Sequence, residues 1–298
     1  KQPNGCFFYT LELMKKNIVI TGVSSGIGRD ALRLLHFKGY HIYGSVRKEA
    51  DAKSLTEAYP KGFTPLIFDV QDQEAVTKAA KIVFDSCDRI DALINNAGIA
   101  VPGPLQFVSE ADFEKQMDVN LKSVRRITNT FLPLLGAAPD FKGAPGRIIN
   151  ISSISGLFNA PFNGVYSISK HALESMTDVY RRELRRYGIK VMAIEPGPIK
   201  TKIWGKNLNS MKPFADTNYN DILQKANQMI ENTEKNALPV TRTSTVILKC
   251  ITKKHPNTRY IVHKNAFIFK IVANYLPDKL VDWFIHRSLS KGNRHRPV

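Results

Sequence analysis

The chain of 298 residues is 43% apolar, which is ordinary for a folded domain with a substantial core and argues against disorder. Its three cysteines, Cys6, Cys87 and Cys250, are odd in number, far apart and free of C-x-x-C spacing; that excludes a disulfide framework and a cysteine zinc site and suits a reducing, cytoplasmic compartment. The net charge of +17 is concentrated late, with 17 Lys/Arg against 6 Asp/Glu in residues 201–298 and 26 against 20 before them. Such an excess is read first as a solvated basic face, with no specific nucleic acid expected.

In chain order, residues 1–13 form a segment outside the core, a poor secretory leader, and Met14-Lys15-Lys16 reads as the native start. Asn17 to Thr21 is a compact apolar strand that ends in a glycine-rich turn, and a helical pattern follows through Leu32, Leu34 and Leu35. Strands are expected at His41 to Val46, Thr64 to Phe68, Ile90 to Ile94, Arg147 to Ile151 and Lys190 to Ile194. A helix is expected at Glu74 to Phe84, and two long ones from Asp112 to about Leu135 and from Val165 to about Tyr187. Strands alternating with helices predict a single α/β domain over 14–298, a doubly wound parallel sheet of Rossmann type with a C-terminal helical extension. Residues 202–240, polar but carrying Trp204, Phe214 and Tyr219, are expected to fold over the cleft as a substrate lid. No apolar run approaches the roughly 18 to 20 residues that cross a bilayer, and the seven histidines contain no H-E-x-x-H pattern, so no metal is implied.

Gly22, Gly26 and Gly28 follow a strand and open a helix, the context in which glycines serve a sharp turn, backbone approach to a pyrophosphate and tight helix packing. The helix N-terminus adds unpaired N–H groups for phosphate. After the second strand, where a NAD site places an acid for the ribose hydroxyls, the chain reads Gly44-Ser45-Val46-Arg47-Lys48. Arg47, with Lys48 and Ser25, offers donors for a 2′-phosphate, so NADP(H) is favoured over NAD(H). Tyr166 and Lys170 lie four apart on a helix and can share one cleft, where a nearby ammonium would lower the phenol pKa. The pair alone is weak, since a tyrosine and a lysine so spaced often sit on a surface.

With Thr21 to Gly28, Asn95-Asn96-Ala97-Gly98, Asn150-Ile151-Ser152-Ser153 and Tyr166/Lys170 in order, the chain resembles the short-chain dehydrogenase/reductase family from about Lys15 to Thr201. The resemblance implies a catalytic tetrad of Asn120, Ser153, Tyr166 and Lys170. Tyr166 would exchange a proton with the carbonyl or alcohol oxygen, Ser153 would steady that oxygen, Lys170 would hold the nicotinamide ribose and acidify the tyrosine, and Asn120 would position a water. Ser153 is selected over Ser152 and Ser155 by its thirteen-residue interval to Tyr166. Cofactor contacts implied by the resemblance fall on Ser24 and Ile27 within the glycine turn, on Asp69 as the adenine-contacting acid with Val70, on Asn96, Ala97 and Gly98, and on Pro196, Gly197, Ile199 and Thr201. Relatives commonly pair through their two long helices, which implies a homodimer or homotetramer. No G-x-S-x-G elbow surrounds the serines, so a serine hydrolase is not expected.

Toward the end, Arg259 to Ala266 with Leu276-Pro277 is distantly similar to the steroid and retinol dehydrogenase branch, although His263 and Asn265 stand where that branch tends to have glycine and aspartate. Phe267 to Ile285, rich in Phe, Ile, Leu and Trp, and the basic tail to residue 298 read as an amphipathic extension that closes the pocket, forms a subunit contact or rests peripherally on an anionic membrane. Packing against protein is preferred, because Lys270, Pro277 and Asp278 interrupt the apolar face. The expected function is NADP(H)-dependent interconversion of a ketone and a secondary alcohol, or an aldehyde and an alcohol, on a hydrophobic molecule such as a steroid, retinoid or lipid. The competing reading is a catalytically weak dinucleotide-binding sensor or scaffold with a basic membrane- or nucleic-acid-binding face.

Overall fold

A computed structural model describes residues 16–201, 212–214 and 216–290. The expected start at Met14 with its preceding segment, lid positions 202–211 and 215, and tail residues 291–298 lie outside the described residues. Seven strands form one parallel sheet: β1 (Asn17–Ile20), β2 (His41–Val46), β3 (Phe63–Ile67), β4 (Ala92–Asn95), β5 (Arg147–Ile151), β6 (Lys190–Pro196) and β7 (Arg259–Val262), in the order β3-β2-β1-β4-β5-β6-β7. The order reverses between β1 and β4, which opens a crevice beyond their carboxyl ends where such sheets take ligands.

Side chains alternate between the two faces, as the two-residue strand period requires. Ile18, Ile20, Ala92, Ile94, Ile149, Ile151, Met192 and Ile194 pack with Leu32 and Leu35 of α1 (Gly26–Phe37), Leu55 of α2 (Glu49–Ala58) and Ile247 of a late helix on one face. Val19, Leu93, Ile148 and Val191 face the opposite way, toward α3 (Gln73–Ser86), Phe131 of α5 (Ser123–Leu135) and Tyr180 of α6 (Gly164–Glu183). With both faces covered, the strands read as near-continuous apolar runs, which is why their positions were legible.

Two expectations are corrected. The helix foreseen from Asp112 to about Leu135 is α4 (Glu110–Met117) and α5 joined by a π-helical turn over Asp118–Lys122. Such a turn interrupts the regular ladder and often marks a functional position; here it carries Asn120. The amphipathic stretch at the end is two helices, α9 (Ala266–Tyr275) and α10 (Asp278–Ser290). Leu276 precedes Pro277 and is held extended by it, with φ −75° and ψ 132°. In the chain, α7 (Asn220–Lys235) and α8 (Val240–Thr252) lie between β6 and β7. The preference for protein packing accounts for Phe269, whose ring meets Phe158 and His263 at 6.1 and 5.6 Å. It does not account for Phe267 and Tyr275, which are 76% and 77% exposed, or for Trp283 and Phe284, also exposed. Among the described residues, no helix is long and apolar enough to cross a membrane.

The sheet core contains a polar ladder. Asn95 Nδ2 donates to Asn150 Oδ1 at 2.8 Å and to Thr128 Oγ1 at 3.1 Å, and Asn150 Nδ2 donates to Thr177 Oγ1 at 2.8 Å. These bonds tie β4 and β5 to α5 and α6, the helices flanking the cleft. Because both asparagines are buried, losing one partner leaves dehydrated groups unpaired. Asn95→Ala should therefore lower unfolding stability by about 1–3 kcal/mol, read from urea denaturation at constant m-value; an unshifted midpoint would contradict the ladder's role.

Candidate active site

At the mouth of β1 the glycine turn is shaped by what surrounds it. Gly22 and Gly26 have φ of +72° and +58°, values that favour glycine. A Cβ on Gly28 would run into the Gly22 carbonyl oxygen and lie 2.5 Å from Asn96 Nδ2, so the first turn of α1 stacks directly on the loop. The turn is fastened by polar bonds. Gly22 N donates to Ser45 Oγ at 2.9 Å, the Asn96 and Ala97 amides both donate to Thr21 Oγ1 at 2.9 Å, and Asn96 Nδ2 donates to the Thr21 and Gly22 carbonyls at 2.9 and 3.0 Å. Ser24 and Ser25 are exposed at its rim, and Ile27 packs partly against the core. Thr201 closes the far side, its Cγ2 at 3.4 Å from where a Gly26 Cβ would stand. Arg47 and Lys48 emerge exposed from the end of β2. Asp69 is half-buried beyond β3, its Oδ1 accepting from Gln71 N at 3.0 Å, with Val70 buried beside it. Pro196 ends β6, Gly197 N donates to the Val262 carbonyl at 3.0 Å, and Ile199 is buried where it bridges Leu238. The cradle, the exposed N–H groups at α1 and the free basic side chains at β2 together fit a phosphate-bearing dinucleotide.

The proposed reacting groups converge at the carboxyl ends of β4 and β5. Ser153 begins a short 3₁₀ turn; its Oγ accepts from Ser155 N at 3.1 Å and donates to the Pro196 carbonyl at 3.4 Å. Tyr166 lies in the first turn of α6, with its hydroxyl near that of Ser153. One turn later, Lys170 is buried, donates from Nζ to the Ile151 carbonyl at 2.8 Å and lies 5.6 Å from the Tyr166 ring centroid. Asn120 is buried in the π turn: its Oδ1 accepts from Ile99 N at 2.9 Å and its Nδ2 donates to the Ile99 carbonyl at 3.0 Å and Ser169 Oγ at 3.1 Å. It thus clamps the loop after β4 to α6.

Titration behaviour differs in part from expectation. Tyr166 is half-buried as a whole, but burial around its hydroxyl pushes the phenol above its ordinary range, with the Ser153 bond acting in the lowering direction. The ammonium is not what leads, because Lys170 is itself dehydrated: burial pulls it down to about 8, with the Glu174 charge opposing. A high phenol pKa keeps Tyr166 protonated, the state a proton donor requires.

Sequence reasoning missed several supporting residues. Gln116, fully buried, donates to the Ile99 carbonyl at 2.8 Å and accepts from Val101 N at 2.7 Å, doubling the clamp made by Asn120. Phe162, just before α6, is held at φ +63°, a left-handed conformation costly for an aromatic residue. Its ring meets Tyr219 at 5.8 Å, Tyr219 also meets Phe107 at 6.1 Å, and a Gly103 Cβ would strike the Phe214 ring. Phe214 and Tyr219 therefore rest on the loop after β4 and on the entry to α6. A buried polar glutamine and a left-handed phenylalanine have no sequence period that could have revealed them.

The profile of the short chain dehydrogenase family matches residues 16–212. The chain belongs to this family of oxidoreductases. The NADPH-dependent 3-dehydrocapnine reductase of Ornithobacterium rhinotracheale is 39% identical over 275 residues, covering 92% of this chain and 97% of that protein. Retinol dehydrogenase 7 of Rattus norvegicus is 31% identical over 290 residues, covering 92% and 89%. Among solved structures, a short-chain dehydrogenase from Streptomyces avermitilis superposes with a TM-score of 0.73 at 22% identity, covering 94% of this chain and 99% of that one, a likeness of fold.

A methyl group at Gly28 has no room against the Gly22 carbonyl. Gly28→Ala is expected to weaken dinucleotide binding on the order of tenfold or more, measured by fluorescence titration on protein that retains its far-UV circular dichroism; wild-type affinity in a folded variant would refute the cradle.

Proposed function

We propose that this oxidoreductase uses NADP(H) to interconvert a ketone and a secondary alcohol, or an aldehyde and an alcohol, on a hydrophobic molecule such as a steroid, retinoid or lipid. The observation that carries the reading is the convergence of Ser153, Tyr166 and Lys170: the first two hydroxyls lie near each other, and the ammonium, held by the Ile151 carbonyl, lies under the phenol ring. Exposed Arg47 and Lys48 beside the glycine cradle support a 2′-phosphate, and the NADPH-dependent relative supports the same choice. The names of the two relatives describe a dehydro compound and a retinol, which supports a carbonyl or alcohol on an apolar frame.

The nicotinamide, when bound, supplies or accepts the hydride. The chain's own groups handle the oxygen. Ser153 donates a hydrogen bond to the substrate oxygen as charge develops, and Tyr166, kept protonated by burial, delivers the proton from the same side. Lys170 holds the ribose hydroxyls and stabilises the phenolate left behind, while Asn120 fixes the wall opposite. The aromatic contacts of Phe107, Phe162 and Tyr219 exclude water from the approach.

Two partner surfaces belong to the same reading. Ile168 and Val179 stand exposed eleven residues apart on one side of α6, which supports pairing of two copies through that helix. On α9 and α10 the outward Phe267, Tyr275, Trp283 and Phe284 lie among Lys264, Lys270, Lys279 and Arg287, a composition that supports peripheral attachment to an anionic lipid surface.

With NADPH and a panel of apolar ketones, wild-type protein should oxidise the cofactor, and Tyr166→Phe should lower kcat by at least about a thousandfold while still binding NADPH; undiminished turnover in that variant overturns the assignment. Lys170 is charged below its pKa of about 8 and loses its proton above it. Reduction should therefore hold level below about pH 8 and decline above it; a profile that rises through that range would contradict the role of the ammonium. Arg47→Ala should raise the Kd for NADPH about tenfold or more and leave that for NADH little changed, and equal effects on both would remove the 2′-phosphate assignment.

A further inference from the structure

Behind Lys170 lies a buried group of charges that the reaction as described leaves unused. Glu174 follows Lys170 by one turn of α6, and Glu195 stands near the end of β6, directly before the Pro196 whose carbonyl accepts from Ser153. Arg259, on the edge strand β7, reaches both carboxyl groups. Its Nε donates to Glu174 Oε2 at 3.0 Å and lies 3.4 Å from Glu195 Oε1, while its Nη2 pairs with Asp178 at 2.9 Å. One N–H cannot point well at two carboxylates. In keeping with that, neither oxygen of Glu195 accepts a hydrogen bond among the described residues, although the residue is only 1% exposed. An ionised carboxylate that is dehydrated, lacks a donor and shares its cation with a second carboxylate is strongly disfavoured, whereas a neutral carboxylic acid is not.

The charges facing the pair come from every neighbouring element: Lys170, Asp178 and Arg181 from α6, Arg259 from β7 and Lys270 from α9, with the His263 ring packed on Gly197 two residues beyond Glu195. Burial, then the Glu174 charge, push Glu195 up to about 8, with Arg259 and Lys270 acting in the opposite direction.

We infer that Glu195 is held as the neutral acid beneath Arg259, which leaves that guanidinium to Glu174, the carboxyl group one turn from Lys170. The inference rests on the role given to Lys170 above. Glu174 is then a positioning residue: it acts through the ammonium four residues before it, opposing the pull that burial exerts on Lys170. Glu195 supplies the reason the arrangement is tolerated. Were both carboxyl groups ionised, they would compete for one guanidinium and weaken the hold of β7 on α6 and β6.

The proton has a thermodynamic signature. Between the ordinary carboxyl value of 4.5 and about 8, the native protein keeps a proton that the unfolded chain has released. Stability from this site is therefore lost as pH rises through that window. Glutamine has no such proton and escapes the loss. Thermal melting of Glu195→Gln beside wild type, from about pH 5 to about pH 9, should show the difference in Tm moving steadily in favour of the variant; a difference independent of pH would overturn the proton on Glu195. As a second reading on unaltered protein, infrared spectra of the wild type should contain a neutral-carboxyl C=O band that disappears through about pH 8. Glu195→Gln, where it folds, should lack that band, and its absence from the wild type would equally overturn the proposal. For the link to Lys170, Glu174→Gln should shift the alkaline limb of the kcat/KM profile about one unit toward lower pH, and a limb coincident with the wild type would remove Glu174 from its positioning role. The melting and infrared experiments need no turnover, so an inactive wild type would count against the reductase reading alone.

Discussion

The site depends on a buried ammonium. Lys170 is held from Ile151 at the end of β5, under the ring of Tyr166 and one turn before Glu174, so its charge is fixed by a strand, a helix and a carboxylate together. Dehydration makes that charge costly and for the same reason makes it effective, since a cation in a low-dielectric pocket interacts far more strongly with a developing phenolate than one in water. The parallel sheet beneath gives the pocket its rigidity. Buried asparagines on β4 and β5 fasten the strands to α5 and α6, and the π turn brings Asn120 against the loop that lines the opposite wall.

A division of labour follows between the two ends of the crevice. At β1 and β2 positive-φ glycines and the absence of a Cβ at Gly28 let the first turn of α1 pack directly on the loop, with Arg47 and Lys48 exposed at the edge. At β5 and β6 the proposed reacting side chains gather, with Ser153 bonded to the Ser155 amide and the Pro196 carbonyl and Lys170 to the Ile151 carbonyl.

Features with a local signal were legible in the sequence. The fold class followed from apolar runs alternating with helical stretches; the phosphate cradle followed from glycines after a strand; the Tyr166 and Lys170 pair followed from helical spacing. What escaped was set by contacts distant in sequence. The π turn carries Asn120 against both the N–H and C=O of Ile99, and nothing in the local periodicity of Asp118–Lys122 distinguishes it from a regular helix. Strand β7 is only four residues long, and Arg259 reads there as an ordinary surface charge until the fold brings it to Glu174, Asp178 and Glu195. The expected acidification of Tyr166 was misjudged for a related reason: spacing reports that an ammonium is near, but burial of the hydroxyl, which dominates, is a property of the whole fold.

Single-turnover oxidation of saturating NADPH with an apolar ketone, wild type against Lys170→Met at pH 7, tests the central claim most directly. A slowing of hydride transfer by two or more orders of magnitude, with the cofactor still bound, is the predicted result. Equal rates in the two proteins would contradict the claim that the buried ammonium powers the site.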